Sequence, residues 1–240
     1  MAPLPIDGLA DYDDAARHML IFDFDGVLAD TEPLHFAAWN QAFQERLGLR
    51  LADDHRVLVG LKLHEMYQLW LNAAPDRSIT LTEAVKQQLL ERKTELFFAQ
   101  VAARLTPMPG SVALLRQAHA LGWYTAIASR SARLRMLHTL DMINMPALFD
   151  LVLGAEEVVD PVSRRKIHAR AAHLFGIDPA QSVVIEDSAS GVSDARDSGI
   201  GYVIGLTTSL TRDTLLEAGA HQVVDHLTEI ALPIDFAVVR

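Results

Sequence analysis

The chain has 240 residues, half of them hydrophobic and 22% charged, with a formal net charge of −10 and no cysteine. These figures suit a soluble globular protein of one domain with an insertion, or of two domains. They exclude disulfides, zinc–thiolate sites and a cysteine nucleophile, and charge of this sign argues against nucleic acid or an anionic membrane as partner.

Met1 to Arg17 carries Asp7, Asp11, Asp13 and Asp14 and lacks the basic region of a signal peptide. No apolar run approaches the ~20 residues that span a bilayer. A cytoplasmic monomer is the expectation.

Met19 to Phe24 reads as an apolar strand. Its end, Asp23-Phe24-Asp25-Gly26, sets two carboxylates at i and i+2, on one face of an extended chain. Two such acids repel unless a cation lies between them. A calcium loop would need Glu at the twelfth position, where Leu34 stands. A tight hairpin would need a partner strand next, and the following segment is helix-like. Taken alone, the residues leave open a metal-assisted nucleophile and an ordinary Asp-Gly turn.

Residues 36 to 105 read as helices only: Phe36 to Leu47, Leu63 to Asn72 and Leu81 to Ala103, the last with a helix-spaced stripe that includes Leu89, Leu96 and Val101. Pro107, Pro109 and Gly110 mark a hinge. Beyond it, helices (Ser111 to Leu121, Ala132 to Asp141, Arg164 to Phe175, Gly191 to Ser198) alternate with apolar strands (Tyr124 to Ala128, Leu151 to Leu153, Ser182 to Ile185, Gly201 to Ile204). That alternation implies right-handed crossovers and a parallel α/β sheet covered on both faces. Helices inserted after the first strand would sit over the carboxyl edge of the sheet, where open α/β sheets bind ligands.

Polar groups fall at the ends of other strands. Ser129, followed by Arg130 and Ser131, can cap a helix or hold a phosphate at its N-terminus. Glu186 and Asp187 follow Val183-Val184-Ile185, and at least one of them can reach inward to a cation. Arg164-Arg165-Lys166 is basic at a helix start, where the dipole disfavours cations.

In this order, Asp23-x-Asp25, Ser129, a basic residue and Glu186-Asp187 resemble the haloacid dehalogenase-like (HAD) superfamily over residues 19 to 206. Asp25-Gly26-Val27-Leu28-Ala29-Asp30-Thr31-Glu32-Pro33-Leu34-His35 and Ile185-Glu186-Asp187-Ser188-Ala189-Ser190-Gly191-Val192 look like the subgroup with a small helical cap, which includes β-phosphoglucomutase and many sugar-phosphate phosphatases. The resemblance implies a doubly wound, Rossmann-like core (1–32 and 108–240) and an all-helical cap (33–107).

It also implies Asp23 as nucleophile, forming an aspartyl-phosphate, and Asp25 as general acid and base. Mg²⁺ would be held by Asp23, the Asp25 carbonyl, Asp187 and, directly or through water, Glu186. Ser129 would hold a phosphoryl oxygen. Gly26, Thr31, Arg130, His35, Lys62 and Lys93 would line the substrate side. The family's lysine, in a Gly-Lys-Pro-x-Pro-Asp string, aligns with Val162; Lys166 is the first substitute and Arg164 or Arg165 the reserves.

Gly60-Leu61-Lys62-Leu63 lacks the cap arginine that grips a second phosphate in the mutase, with Lys62 or His64 as substitutes. The expectation is a phosphatase for a small phosphorylated metabolite, with a mutase or a catalytically weak binding scaffold as alternatives.

Overall fold

Met19-Leu20-Ile21-Phe22 is apolar at every position, and all four side chains are buried. A strand buried on both faces belongs in the middle of a covered parallel sheet. In the computed structural model, which describes residues 18–49, 63–73, 81–157 and 166–236, this strand is β1 (Met19–Phe22). It is joined by β2 (Tyr124–Ala128), β3 (Leu151–Leu153), β4 (Ser182–Glu186), β5 (Tyr202–Leu206) and β6 (Gln222–Val224). The order is β3-β2-β1-β4-β5-β6, every pairing parallel.

Alternate residues of β1 enter different cores. Leu20 and Phe22 pack with Leu115, Ile127 and Ile185; Met19 and Ile21 pack with Ala128, Ala172 and Val184. The fold is therefore the doubly wound sheet that the sequence implied, with helices on both faces. The order in which successive strands are added reverses between β1 and β4, and the carboxyl ends there form the crevice where such sheets bind ligands.

Helices α1 (Glu32–Leu47), α2 (Leu63–Ala73) and α3 (Glu83–Arg104) are inserted between β1 and β2. They have an apolar core of their own, in which Phe43 stacks on Trp70 at 4.4 Å and packs near Leu89 and Phe97. Pro33 lies in the first turn of α1, where its missing N–H costs nothing, so the helix begins earlier than the expected Phe36. The chain returns beside the point of exit: the Met108 N–H donates to the Leu28 carbonyl at 2.8 Å. Gly110, at φ 91°, then opens α4 (Ser111–Ala120).

Around the core follow α5 (Arg133–Met142), α6 (Ile167–Leu174), α7 (Ala189–Asp197) and α8 (Arg212–Glu217). The expected helix from Arg164 is described only from Ile167, and α8 and β6 extend the α/β rhythm beyond the expected elements. No described helix is long and apolar enough to cross a membrane.

Candidate active site

The β1 ladder ends at Asp23, whose N–H still donates to the Ile185 carbonyl of the neighbouring strand at 3.0 Å. The chain then turns tightly: the Phe24 carbonyl accepts from Leu28 at 3.0 Å and Gly26 donates to Ala29 at 2.9 Å. Gly26 sits at φ 76°, and a Cβ there would run into the Asp187 carboxylate. Glycine is required on both counts.

β4 delivers Glu186 and Asp187 opposite Asp23, both 4% exposed. Oxygens of Asp23, Glu186 and Asp187 lie within 4.8 Å of one another. Burial raises Asp23 well above the usual carboxylate range, and the charges of Glu186, Asp187 and Asp25 add to the rise; a hydrogen bond from Ser129 opposes it. Burial, then Glu186, pushes Asp187 up to about 8, against a hydrogen bond from Ser209. Glu186 accepts from the Ser188 hydroxyl at 3.0 Å, while that hydroxyl caps α7 through the Gly191 N–H. Ser129, at the tip of β2, is 4% exposed.

Asp25 faces a different environment. Its Oδ1 accepts from the Thr31 hydroxyl and from Arg135 Nη1 at 3.1 Å; its Oδ2 accepts from the Ser131 hydroxyl and from Arg135 Nη2 at 2.6 Å. Burial would raise this carboxyl, but the Arg135 guanidinium and the His35 contact outweigh it and hold Asp25 well below the usual range. Thr31 precedes α1 without capping it, its hydroxyl being turned to Asp25 instead.

His35 joins the two halves of the molecule. Its ring stacks on Phe97 at 4.2 Å, its Nε2 lies 3.0 Å from Arg135 of α5, and its Nδ1 lies 2.8 Å from Lys93 of α3. Guanidinium and ammonium have no acceptor and a neutral imidazole offers one, so His35 can accept from Arg135 or from a charged Lys93 but not from both. Burial lowers His35 to about 4, and the nearby cations reinforce the fall. Burial and then Arg135 lower Lys93 to about 8. Glu32, in the first turn of α1, is raised to about 7 by burial and by Asp25.

The structure thus brings Asp23, Asp25, Gly26, Thr31, His35, Lys93, Ser129, Glu186 and Asp187 to one end of the sheet. Arg130 is exposed and donates to the Ser190 hydroxyl at 2.9 Å, yet it lines a small cleft beside Asp23. Lys166 is exposed at the start of α6, does not line that cleft, and makes no ion pair with Asp23 among the described residues. His64 is exposed on α2. Lys62, Arg164 and Arg165 lie outside the described residues.

Sequence reasoning missed four residues that line or support the site. Arg135 follows Ser131 by one helical turn, and that i, i+4 spacing was the available signal. Ser131 stood inside the quoted Ser129-Arg130-Ser131 string. Ser209 gave no signal, since it reaches Asp187 from the loop after β5. His168, two residues beyond Lys166, is 2% exposed, lines the cleft and places Nε2 3.5 Å from Glu186 Oε1. Neither of its ring nitrogens has a hydrogen-bond partner among the described residues.

The chain is 30% identical over 203 residues to a phosphorylated carbohydrates phosphatase of Thermotoga maritima, covering 84% of this chain and 91% of the relative. It is 29% identical over 197 residues to a β-phosphoglucomutase of Bacillus subtilis, covering 78% and 82% respectively. Among solved structures, a HAD family hydrolase from Deinococcus radiodurans with bound phosphate and sodium superposes with a TM-score of 0.70 at 25% identity, covering 90% of this chain and 94% of that one. The sequence profile of the haloacid dehalogenase-like hydrolases matches residues 18–199, and the chain belongs to that family.

Proposed function

We propose that this protein is a Mg²⁺-dependent phosphomonoesterase acting on a small phosphorylated metabolite, a sugar phosphate being the class that its relatives' names suggest. The observation that carries this reading is the meeting of Asp23, Ser129, Glu186 and Asp187 at the switch point of the sheet, with Asp25 two residues from Asp23. Helices α1, α2 and α3 serve as the cap over that point.

The residues fit a hard divalent cation. Three carboxylates converge, two of them disfavoured as anions by burial and mutual repulsion, and hard oxygen donors are what Mg²⁺ prefers. Asp23, Glu186, Asp187 and the Asp25 carbonyl would hold it. When bound, it supplies neutralisation of charge on the phosphoryl oxygens.

The chain's own residues supply the rest. An Asp23 oxygen bonds to phosphorus as the ester P–O bond breaks. Asp25 delivers a proton to the departing alcohol oxygen, then takes one from the water that attacks the aspartyl-phosphate, releasing phosphate and restoring the Asp23 carboxylate. Ser129 donates to a phosphoryl oxygen as charge develops there.

Turnover of p-nitrophenyl phosphate that requires Mg²⁺ and disappears in Asp23→Asn is the expected result. Turnover that survives either EDTA or Asp23→Asn would overturn the reading. The mutase alternative predicts glucose 6-phosphate from β-glucose 1-phosphate with a bisphosphate primer, where a phosphatase yields free glucose.

A further inference from the structure

His168 is a buried polar side chain that the mechanism leaves unused. It is the second residue of α6 and is 2% exposed, and neither ring nitrogen has a hydrogen-bond partner among the described residues. A buried donor or acceptor without a partner is costly, so a ring held in this way calls for one in the working protein. Its backbone is well anchored. Ile167, Ala171 and Ala172 seat α6 in the core with Met19, Ile21 and Val184, and His168 then lines the cleft beside Asp23.

Glu186 is the partner within reach. His168 Nε2 lies 3.5 Å from Glu186 Oε1, and both side chains are nearly inaccessible. The gap exceeds an ordinary N–H···O bond by about half an ångström. The other oxygen, Oε2, already accepts from the Ser188 hydroxyl at 3.0 Å. The Gly191 backbone closes a further side, so near that a Cβ there would meet the carboxylate. Among the described residues no lysine or arginine ion-pairs with Glu186. An ionised carboxylate only accepts, so the ring meets it favourably only with a proton on Nε2.

Direct ligation of the cation is the competing role for His168. The donor atoms that converge within 4.8 Å belong to Asp23, Glu186 and Asp187, and His168 is not among them. Imidazole also matches Mg²⁺ less well than hard oxygen does. Its contact with Glu186 therefore decides what the ring does.

We propose that His168 is a positioning residue: its Nε2–H donates to Glu186 Oε1, and with Ser188 it fixes the carboxylate so that the remaining lone pairs face the cation shared with Asp23 and Asp187. This rests on the Mg²⁺ reading of that cluster. A carboxylate offers about four lone-pair sites, so two outer donors leave room for the metal or for its water. The ring holds the ligand and stays out of the metal's own shell.

Two measurements test this. In calorimetric titration with Mg²⁺ and no substrate, His168→Phe should bind about 10- to 100-fold more weakly than wild type, the usual cost of losing an outer-shell partner. His168→Gln, whose amide nitrogen can stand where Nε2 stood, should recover most of that loss. Nitrogen-15 NMR of the metal-free wild-type protein should find a proton on His168 Nε2, with a shift that moves in Glu186→Gln. That measurement stands even where the phenylalanine variant fails to fold. A phenylalanine variant that binds Mg²⁺ like wild type, a glutamine variant no tighter than the phenylalanine one, or an Nε2 that lacks a proton or ignores Glu186→Gln would overturn the proposal. A wild type that binds no Mg²⁺, while its Nε2 proton responds to Glu186→Gln, would sink the metal reading and leave the pairing of His168 with Glu186 standing.

Discussion

Removing divalent metal should make this protein less stable as pH rises through neutrality. Asp187 titrates at about 8 in the folded state and Glu32 at about 7, both far above the 3.8 and 4.5 of free side chains. A carboxyl whose folded pKa is raised contributes stability that is complete below its unfolded pKa and is lost as pH climbs through the folded value. His35, lowered to about 4, has the opposite sign, but its gain is essentially complete by its ordinary 6.5. Lys93, at about 8, begins to contribute only above that pH.

The clean window is therefore pH 6.5 to 8. Within it the unfolded chain carries no proton on either acid, whereas the folded chain sheds most of the Glu32 proton and half of the Asp187 proton. Integrated, that costs about 2 kcal/mol, and Asp23 adds in the same direction. For a chain of this size the loss amounts to a fall in melting temperature of about 4–8 °C. Calorimetric melts in EDTA at half-unit pH steps measure it; saturating Mg²⁺ should flatten the slope, and Asp187→Asn should remove most of it. A melting temperature that is level or rising between pH 6.5 and 8 in EDTA would refute the view that these carboxylates await a cation.

Gly26→Ala forces a positive φ and a Cβ into Asp187, so its apparent Mg²⁺ affinity, read from activity against metal concentration, should fall about 10- to 100-fold. Lys166→Ala removes an exposed side chain and should change kcat/KM less than about threefold; a change as large as a transition-state contact gives, about 2 kcal/mol or more, would restore Lys166 to the site. Phe43→Ala empties a fully buried position stacked on Trp70 and should cost about 3–5 kcal/mol, seen as an earlier transition in thermal melts.

The sheet was legible because each strand is apolar throughout and is followed by a helix-spaced pattern, a combination that few folds share. Asp23, Ser129, Glu186 and Asp187 were legible because they sit at strand ends, and a parallel sheet brings those ends to one edge whatever the loops do. Helix faces were harder to read. Lys166 and His168 are two residues apart, so on a helix they point in different directions, and linear proximity to a motif position said nothing about which faces inward. The structure exposes the lysine and buries the histidine beside Glu186. Arg135 escaped notice because its partners, Asp25 and His35, lie about a hundred residues away in sequence, and the meeting of α5 with the inserted helices sets their contact.

The two halves of the site carry opposite electrostatic deficits. On the core side, Asp23, Glu186 and Asp187 crowd together, and no side-chain cation among the described residues outweighs the burial and repulsion that raise Asp23 and Asp187. On the cap side, Lys93 and Arg135 crowd together, and each disfavours extra positive charge near the other. Between the two lie Asp25, which Arg135 already grips, and Glu32, which burial and Asp25 hold towards its neutral form. A divalent cation answers the first deficit and a substrate anion the second. Metal and a phosphomonoester should therefore each bind more tightly in the presence of the other, a reciprocity that calorimetric titration of Asp23→Asn in both orders can measure.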